Sequence, residues 1–205
     1  MSLLLATIRS GAVELAPIRT SDGHQWRQLR RDNAAWLDPW EATSPLGKAD
    51  VAPNFRMMAR TLRAEARTGR TIPWMIRYSG RLVGQITVFG ISYGALRSAG
   101  AGYWVAQEFA GRGITPLALA LATDYCWNVV GLHRMEVNIK PDNHASRRVV
   151  EKLGFRCEGT RQRYLHIDGQ WCDHLSYALT VEEVPTGLVA RWQALSRSGS
   201  ANDDR

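Results

Sequence analysis

Cysteine is scarce in this sequence: three occur, Cys126, Cys157 and Cys172, with no CxxC spacing and no even number to pair. That pattern excludes a cysteine-rich zinc site and a disulfide framework, and none of the three sits in a Cys–His arrangement suited to nucleophilic catalysis. Long apolar runs are also lacking. The opening MSLLLATIRSGAVEL is too short to span a bilayer and carries no small-residue cleavage pattern behind a basic segment, so a cytoplasmic location is expected. Acid is the scarcer charge, 19 Asp and Glu against 26 Lys and Arg, and the resulting net charge of +7 predicts attraction to polyanions. No GxxxxGK followed by Ser or Thr is present, which excludes a nucleotide P-loop, and no third glycine completes a dinucleotide fingerprint after Gly111 and Gly113.

What is present suits one soluble domain with a full core: 205 residues, 45% hydrophobic and 22% charged. The organising stretch is residues 101–130, AGYWVAQEFAGRGITPLALALATDYCWNVV, read as an apolar strand, a Gly111-Arg112-Gly113 turn and a long, nearly all-apolar helix. Its turn puts glycines against the unpaired amides and positive dipole end of a helix, the makings of an anion site. The same turn also serves as a plain strand-to-helix connector in many proteins. With the two nucleotide motifs set aside, the remaining ligand reading is a diphosphate cradle of the acyl-coenzyme A type.

The rest of the chain reads as alternating strands and helices without internal repeats. A strand over 13–18 precedes a helix over 22–35 capped by Ser21. A loop holding Trp36, Trp40 and Glu41 around Pro39 follows, and its tryptophans either plug the domain or line a pocket. On a helix expected over 52–68, Arg56, Arg60, Arg63 and Arg67 recur beside an apolar stripe of Phe55, Ala59, Leu62 and Ala66. This arginine face is either simply solvated or a guide for RNA or an anionic ligand. Strands over 73–78 and 82–89 form a hairpin about Ser79-Gly80-Arg81, and the glycine-containing stretch 90–100 reads as a loop before the strand over 102–106. In HRMEVNIK the alternation gives a strand with one apolar face, and Pro141 ends it. Asn143 then caps a helix that closes with Leu153, Gly154 and Phe155. Strands over 157–167 and 173–180 turn at Asp168-Gly169; Pro185 and Gly187 precede a short helix, and 198–205 reads as a mobile tail.

Two segments carry a resemblance. PDNHASRRVVEKLGF, with N-x-x-S at the helix start and E-K-L-G-F at its end about thirty residues past the G-x-G-x-T turn, resembles the GCN5-related N-acetyltransferase superfamily. The later YLHIDGQWCDHLSYAL is similar to the hairpin of members that acetylate the N-terminal alanine of ribosomal proteins. The resemblance implies an α/β domain over 13–181, between a lead-in at 1–12 and an extension at 182–205. Its predominantly antiparallel mixed sheet would be flanked by helices, with two central parallel strands splayed to admit acetyl-coenzyme A.

By the same resemblance, Trp104, Val105 and Asn143 meet the pantetheine arm or acetyl group, and Gly111, Arg112, Gly113, Ile114 and Thr115 wrap the diphosphate. Thr115 adds a hydroxyl where many members have Gly or Ala; Ala110 lacks the side-chain contact that Gln or Arg gives elsewhere. A Gly113→Val change is expected to weaken acetyl-coenzyme A binding while leaving the fold mostly intact. Ser146 stands near the sulfur as proton donor, as an orienting group for water, or merely in the first helical turn. Trp36, Trp40, Glu41 and Tyr164 fall to the acceptor. Some relatives carry a base on the penultimate strand where this chain has Leu165, leaving Glu41, His166 or a water relay; Asp173 and His174 would order the hairpin. The implied activity is direct transfer of acetyl to a protein α-amine, most simply alanine on a ribosomal protein. The alternatives are transfer to a lysine or small-molecule amine, and a catalytically weak acyl-coenzyme A or RNA-interaction module. No metal is called for, no membrane partner is implied, and the protein is expected to be a monomer or dimer.

Overall fold

The computed structural model describes residues 6–47, 52 and 54–200. Its sheet has eight strands: β1 (Ile8–Ser10), β2 (Val13–Pro17), β3 (Ile72–Tyr78), β4 (Arg81–Ser92), β5 (Ser98–Val105), β6 (Arg134–Ile139), β7 (Arg156–Ile167) and β8 (Gln170–Thr180). They lie in the order β1-β2-β3-β4-β5-β6-β8-β7, and every neighbouring pair is antiparallel except β5 with β6. This is the expected mixed sheet with helices around it.

The parallel pair is short, and its shortness makes the site. β5 and β6 are in register only at Ser98 with Arg134, Ala99 with Met135 and Gly100 with Glu136. Beyond that point β5 stays paired to β4 as far as Val105, and β6 stays paired to β8 as far as Ile139. Each strand is therefore held by its outer neighbour while the two inner edges part, leaving backbone N–H and C=O groups of both free to bond a guest.

Among the described residues six α-helices cover the sheet: α1 (Gly23–Asp32), α2 (Ala34–Leu37), α3 (Phe55–Arg67), α4 (Ile114–Tyr125), α5 (His144–Leu153) and α6 (Leu188–Ser200). α4 is buried almost throughout, as its nearly unbroken apolar sequence requires. The main core lies between α4, α5 and the sheet, built on Trp74, Ile86, Leu119, Met135, Leu153 and Leu179. A second cluster of Ile18, Phe55, Ala59, Met75 and Leu82 fastens α3 to the opposite side.

Several expected boundaries move, each for a local reason. The stretch 90–100 is mostly strand rather than loop, because β4 runs to Ser92 and β5 starts at Ser98, with Ser92 paired to Ser98. The tryptophan segment is helical rather than a loop: α2 carries Trp36, and a 3-10 turn over Asp38–Trp40 carries Trp40, with Pro39 placed where no helical N–H is needed. Ser21 does not cap α1, which Thr20–Asp22 enters through a 3-10 turn. α3 begins at Phe55 because Asn54 caps it, accepting from the Met57 amide at 3.0 Å. A π-turn over Cys126–Val130 ends the central helix, and Gly131 follows it at φ +75°. Within the lead-in, β1 adds an edge strand. α6 takes in Ser198 to Ser200 of the expected tail; residues 201–205 lie outside the described residues. Asp124 of α4 fixes the start of α6 by accepting from the amides of Leu188 and Val189 at 2.7 and 3.0 Å.

Candidate active site

The site is assembled from the opening between β5 and β6 and from the two helix starts that follow those strands. After β5 a 3-10 turn over Gln107–Phe109 leads into the glycine turn. Gly111 and Gly113 both adopt left-handed conformations, φ +75° and +76°, which side-chain-bearing residues rarely take. The first helical amide bonded back into this turn is that of Leu117, which donates to the Gly113 carbonyl at 3.2 Å. The amides of residues 111–115 therefore precede the first helical hydrogen bond, as an anion cradle requires. Ile114 and Thr115 are buried, so the cradle offers mainly backbone, and Arg112 lays its guanidinium over the Phe109 ring at 5.4 Å. This geometry fits a diphosphate. It corrects one expectation: a Cβ on Gly113 would lie 3.1 Å from the Trp192 ring, so Gly113→Val strains the fold as well as the cradle.

At the second helix start Asn143 caps α5, its Oδ1 accepting from the Ser146 amide at 3.0 Å. That bond occupies the carbonyl oxygen and leaves the side-chain NH2 as the donor for a guest. Ser146 Oγ donates to the Tyr103 hydroxyl at 2.9 Å, and Tyr103 Oη donates weakly to the Ser146 carbonyl at 3.4 Å. By exposed area Tyr103 is only partly buried, yet enough protein surrounds its hydroxyl for burial to push the phenol well above its usual range, against the smaller opposing effect of the Ser146 bond. Tyr103 thus stays protonated at neutral pH. Sequence reading missed it, since it lies 43 residues from its partner.

Two ties fix the far end of β5. Trp36 Nε1 donates to the Val105 carbonyl at 3.1 Å, and the Gln107 amide donates to Asn33 Oδ1 at 2.8 Å. Trp36 is therefore brought to β5, where it braces Val105. The Trp104 ring is turned to α1, edge-on to Trp26 at 6.3 Å and beneath the Arg30 guanidinium at 5.4 Å. Burial lowers the pKa of Arg30, opposed by Asp38. Glu41 pairs with that same arginine, an arrangement that ties up its carboxylate. Trp40 lies under the Lys140 ammonium at 5.5 Å, at the end of β6.

The hairpin of β7 and β8 supplies the remaining side chains. Tyr164 sits under the Arg161 guanidinium at 5.0 Å and edge-on to His174 at 5.7 Å. His166 is bound by Thr43, Nδ1 to Oγ1 at 2.8 Å, as part of a clasp in which the Thr43 amide donates to the His166 carbonyl at 2.8 Å. His174 is 3% exposed, with Nδ1 3.1 Å from the Cys172 carbonyl. When Nδ1 carries the proton to that carbonyl, Nε2 holds the lone pair. Burial is the main reason its pKa is lowered, with Lys140 adding to the shift. Asn138 of β6 has a buried Oδ1 without a partner among the described residues, an unmet acceptor that sequence reading also missed. Among the described residues no group of three or more His, Cys, Asp or Glu could hold a metal, and no helix is long and apolar enough to cross a membrane.

Comparison with known proteins agrees with this geometry. The model of the acetyltransferase (GNAT) domain matches residues 13–156. The chain is 40% identical to Mycobacterium smegmatis RimJ in complex with CoA-disulfide, with a TM-score of 0.84 and 94% of each chain covered. It is also similar to the [ribosomal protein uS5]-alanine N-acetyltransferase of Escherichia coli K12, 33% identical over 106 residues, 52% of this chain and 55% of that protein. A shorter match, 30% identical over 67 residues, 33% of this chain and 36% of that protein, is to the spermidine N(1)-acetyltransferase of the same organism. The chain spans about half the length, or less, of these curated relatives. By its family-model match, its sheet with one parted parallel pair, and its glycine turn, the chain belongs to the acetyltransferase (GNAT) family.

Proposed function

We propose that this protein transfers acetyl from acetyl-coenzyme A to the N-terminal α-amine of a protein, with alanine on a ribosomal protein as the leading acceptor. The observation that carries the reading is the likeness to Mycobacterium smegmatis RimJ over 94% of both chains, joined to the IDGQW-x-DH hairpin. An acceptor on the ribosome would be met in the cytoplasm.

The residues present suit the chemistry. Bound in the parted strands, the thioester supplies an activated acyl carbon and a thiolate leaving group. The amides of Gly111 to Thr115 hold the diphosphate; the free edges of β5 and β6 and the Asn143 NH2 orient the pantetheine arm. When Tyr103 Oη turns its proton from the Ser146 carbonyl to Ser146 Oγ, the serine proton is released from Tyr103 and donates to the departing sulfur, where charge grows in the transition state. An α-amine has a reference pKa of about 7.7–8.0, so a useful fraction is neutral near pH 7, whereas lysine at about 10.4 is almost wholly charged. Such an acceptor needs only a weak proton acceptor: His166, whose Nδ1 alone is engaged by Thr43, or a water relay. Glu41 is disfavoured by its pairing with Arg30. Alignment of the reactants supplies much of the remaining advantage.

The short match to a spermidine acetyltransferase brings a small polyamine into view. Arg30 and Lys140 beside the tryptophans, and the net charge of +7, disfavour a polycation there. Initial rates of thiol release with an Ala-initiated peptide, the same peptide N-terminally blocked, and spermidine test the reading. A clear preference for the free peptide supports it; equal rates with the blocked peptide, or faster release with spermidine, overturn it.

A further inference from the structure

Far from the parted strands, the loop after β2 and the exposed side of α3 border an open cavity of about 490 Å³ lined by Arg19, Thr20, Ser21, Arg60, Arg63 and Arg67. Strands β3 and β4 lie between β2, which feeds this loop, and β5, which borders the acetyl-transfer cleft. We propose that this cavity binds the phosphate backbone of RNA.

The lining is built for anions and for little else. All six residues are polar, whereas pockets for small organic ligands are mostly apolar. Among the described residues none of the four arginines pairs with a carboxylate. An acid is close in sequence but is turned away: Asp22 is buried, bound to Arg77 at 2.7 Å and to the Arg19 amide at 2.8 Å. Four like charges are thus gathered without internal compensation, a repulsion that a polyanion relieves.

The row is also rigid. Phe55, Ala59 and Ala66 are buried on the other side of α3, and Arg63 Nη1 donates to the Ile18 carbonyl at 2.9 Å, which locks the helix to the loop. From Arg60 to Arg67 the row extends roughly 10 Å along the helix axis, more than a single phosphate group fills. Arginine forks with Ser and Thr hydroxyls form the donor set that phosphate oxygens meet in nucleic-acid complexes. No aromatic ring lines the cavity, so stacking on bases is absent and recognition is of backbone, without sequence preference. This inference does not depend on the acceptor assigned above, although an enzyme working on a ribosomal protein would gain from a grip on neighbouring RNA.

The test is fluorescence anisotropy of the full-length protein with a labelled oligouridine and, separately, a labelled oligoglutamate, across a salt series. Four phosphate contacts on a single strand give a log–log salt slope of about −2.8, or roughly a 50-fold loss between 50 and 200 mM salt. Arg60→Gln with Arg67→Gln should halve that slope, to about −1.4, and weaken RNA binding at low salt, while coenzyme A affinity and acetylation of a short peptide stay unchanged. Arg19→Gln, on the loop instead of the helix, should lower the slope independently, and Arg60→Lys with Arg67→Lys should retain most of the binding. An RNA affinity and slope indifferent to both sets of Gln changes would overturn the proposal, as would tighter, arginine-dependent binding of oligoglutamate than of RNA.

Discussion

Ser146 Oγ donates to Tyr103 Oη at 2.9 Å, joining the first turn of α5 to β5 beside the place where β5 leaves β6. If this pair stabilises the leaving sulfur, Ser146→Ala lowers kcat while acetyl-coenzyme A affinity changes little. A hydrogen bond to a charged group contributes about 1.5–3 kcal/mol, so the fall should be roughly ten- to a hundredfold. Tyr103→Phe should act in the same direction, and the double variant should lose less than the product of the two, because both act on one network. Since burial holds Tyr103 protonated, its ionisation should not limit turnover from neutral to mildly alkaline pH. Single-turnover rates and a cofactor titration on the same samples measure both halves; independent, multiplicative losses would separate the two hydroxyls.

The glycine turn predicts an asymmetry in stability. Gly111→Ala meets no atom within 4 Å and costs only the left-handed penalty, about 1–2 kcal/mol, a fall of roughly 2–8 °C in Tm. Gly113→Val has the same backbone penalty plus a Cβ 3.1 Å from Trp192. Thermal denaturation should therefore rank Gly113→Val below Gly111→Ala. Equal melting would mean that the Trp192 ring gives way freely.

How far the sequence could be read divides along contact range. β6 and α5 were legible because their signals are local: alternation through Met135, Val137 and Ile139, a cap at Asn143, a left-handed Gly154. The turn at Asp168-Gly169 was legible for the same reason. β4 and β5 were shortened because their glycines look like loop formers. Gly100 is in fact strand, set where a Cβ would strike the Phe89 ring at 2.8 Å, a packing reason with no local signature. The pairs Tyr103–Ser146, Trp36–Val105 and Arg30–Glu41 join separate elements, and nothing in one segment announces the other.

His174 gives a pH signature. Its folded pKa lies below the ordinary imidazole value of about 6.5, chiefly through burial and with a smaller push from Lys140, while the Cys172 carbonyl, Asp173 and Asp142 oppose the shift. Above pH 6.5 both states are neutral and no penalty exists; as pH falls from there toward the folded pKa the unfolded chain binds a proton that the native state refuses. Stability should fall across that window and level off beneath it. Urea denaturation should show a smaller decline between pH 7 and 5 for His174→Gln than for the native protein, whatever the variant's absolute stability; parallel declines would place the titrating group elsewhere.

The two tryptophans near the cleft should separate kinetically. Trp36→Phe removes the indole donor to the Val105 carbonyl, a bond worth about 1 kcal/mol, and should loosen acetyl-coenzyme A about fivefold. Trp40→Ala strips an aromatic surface beside Lys140 and should raise the acceptor KM with little effect on the cofactor. Matched cofactor and peptide titrations decide this, and a Trp40→Ala enzyme with unchanged peptide KM assigns that ring to packing.

The most direct measurement locates the acetyl group. The enzyme and acetyl-coenzyme A are incubated with one peptide bearing a free N-terminal alanine and a second whose terminus is blocked but whose internal lysine is exposed, and the products are mapped by fragment mass spectrometry. The account predicts acetyl on the alanine α-amine of the first peptide and none on the second. Acetyl on lysine alone would contradict it, and so would two unmodified peptides beside rapid transfer to spermidine.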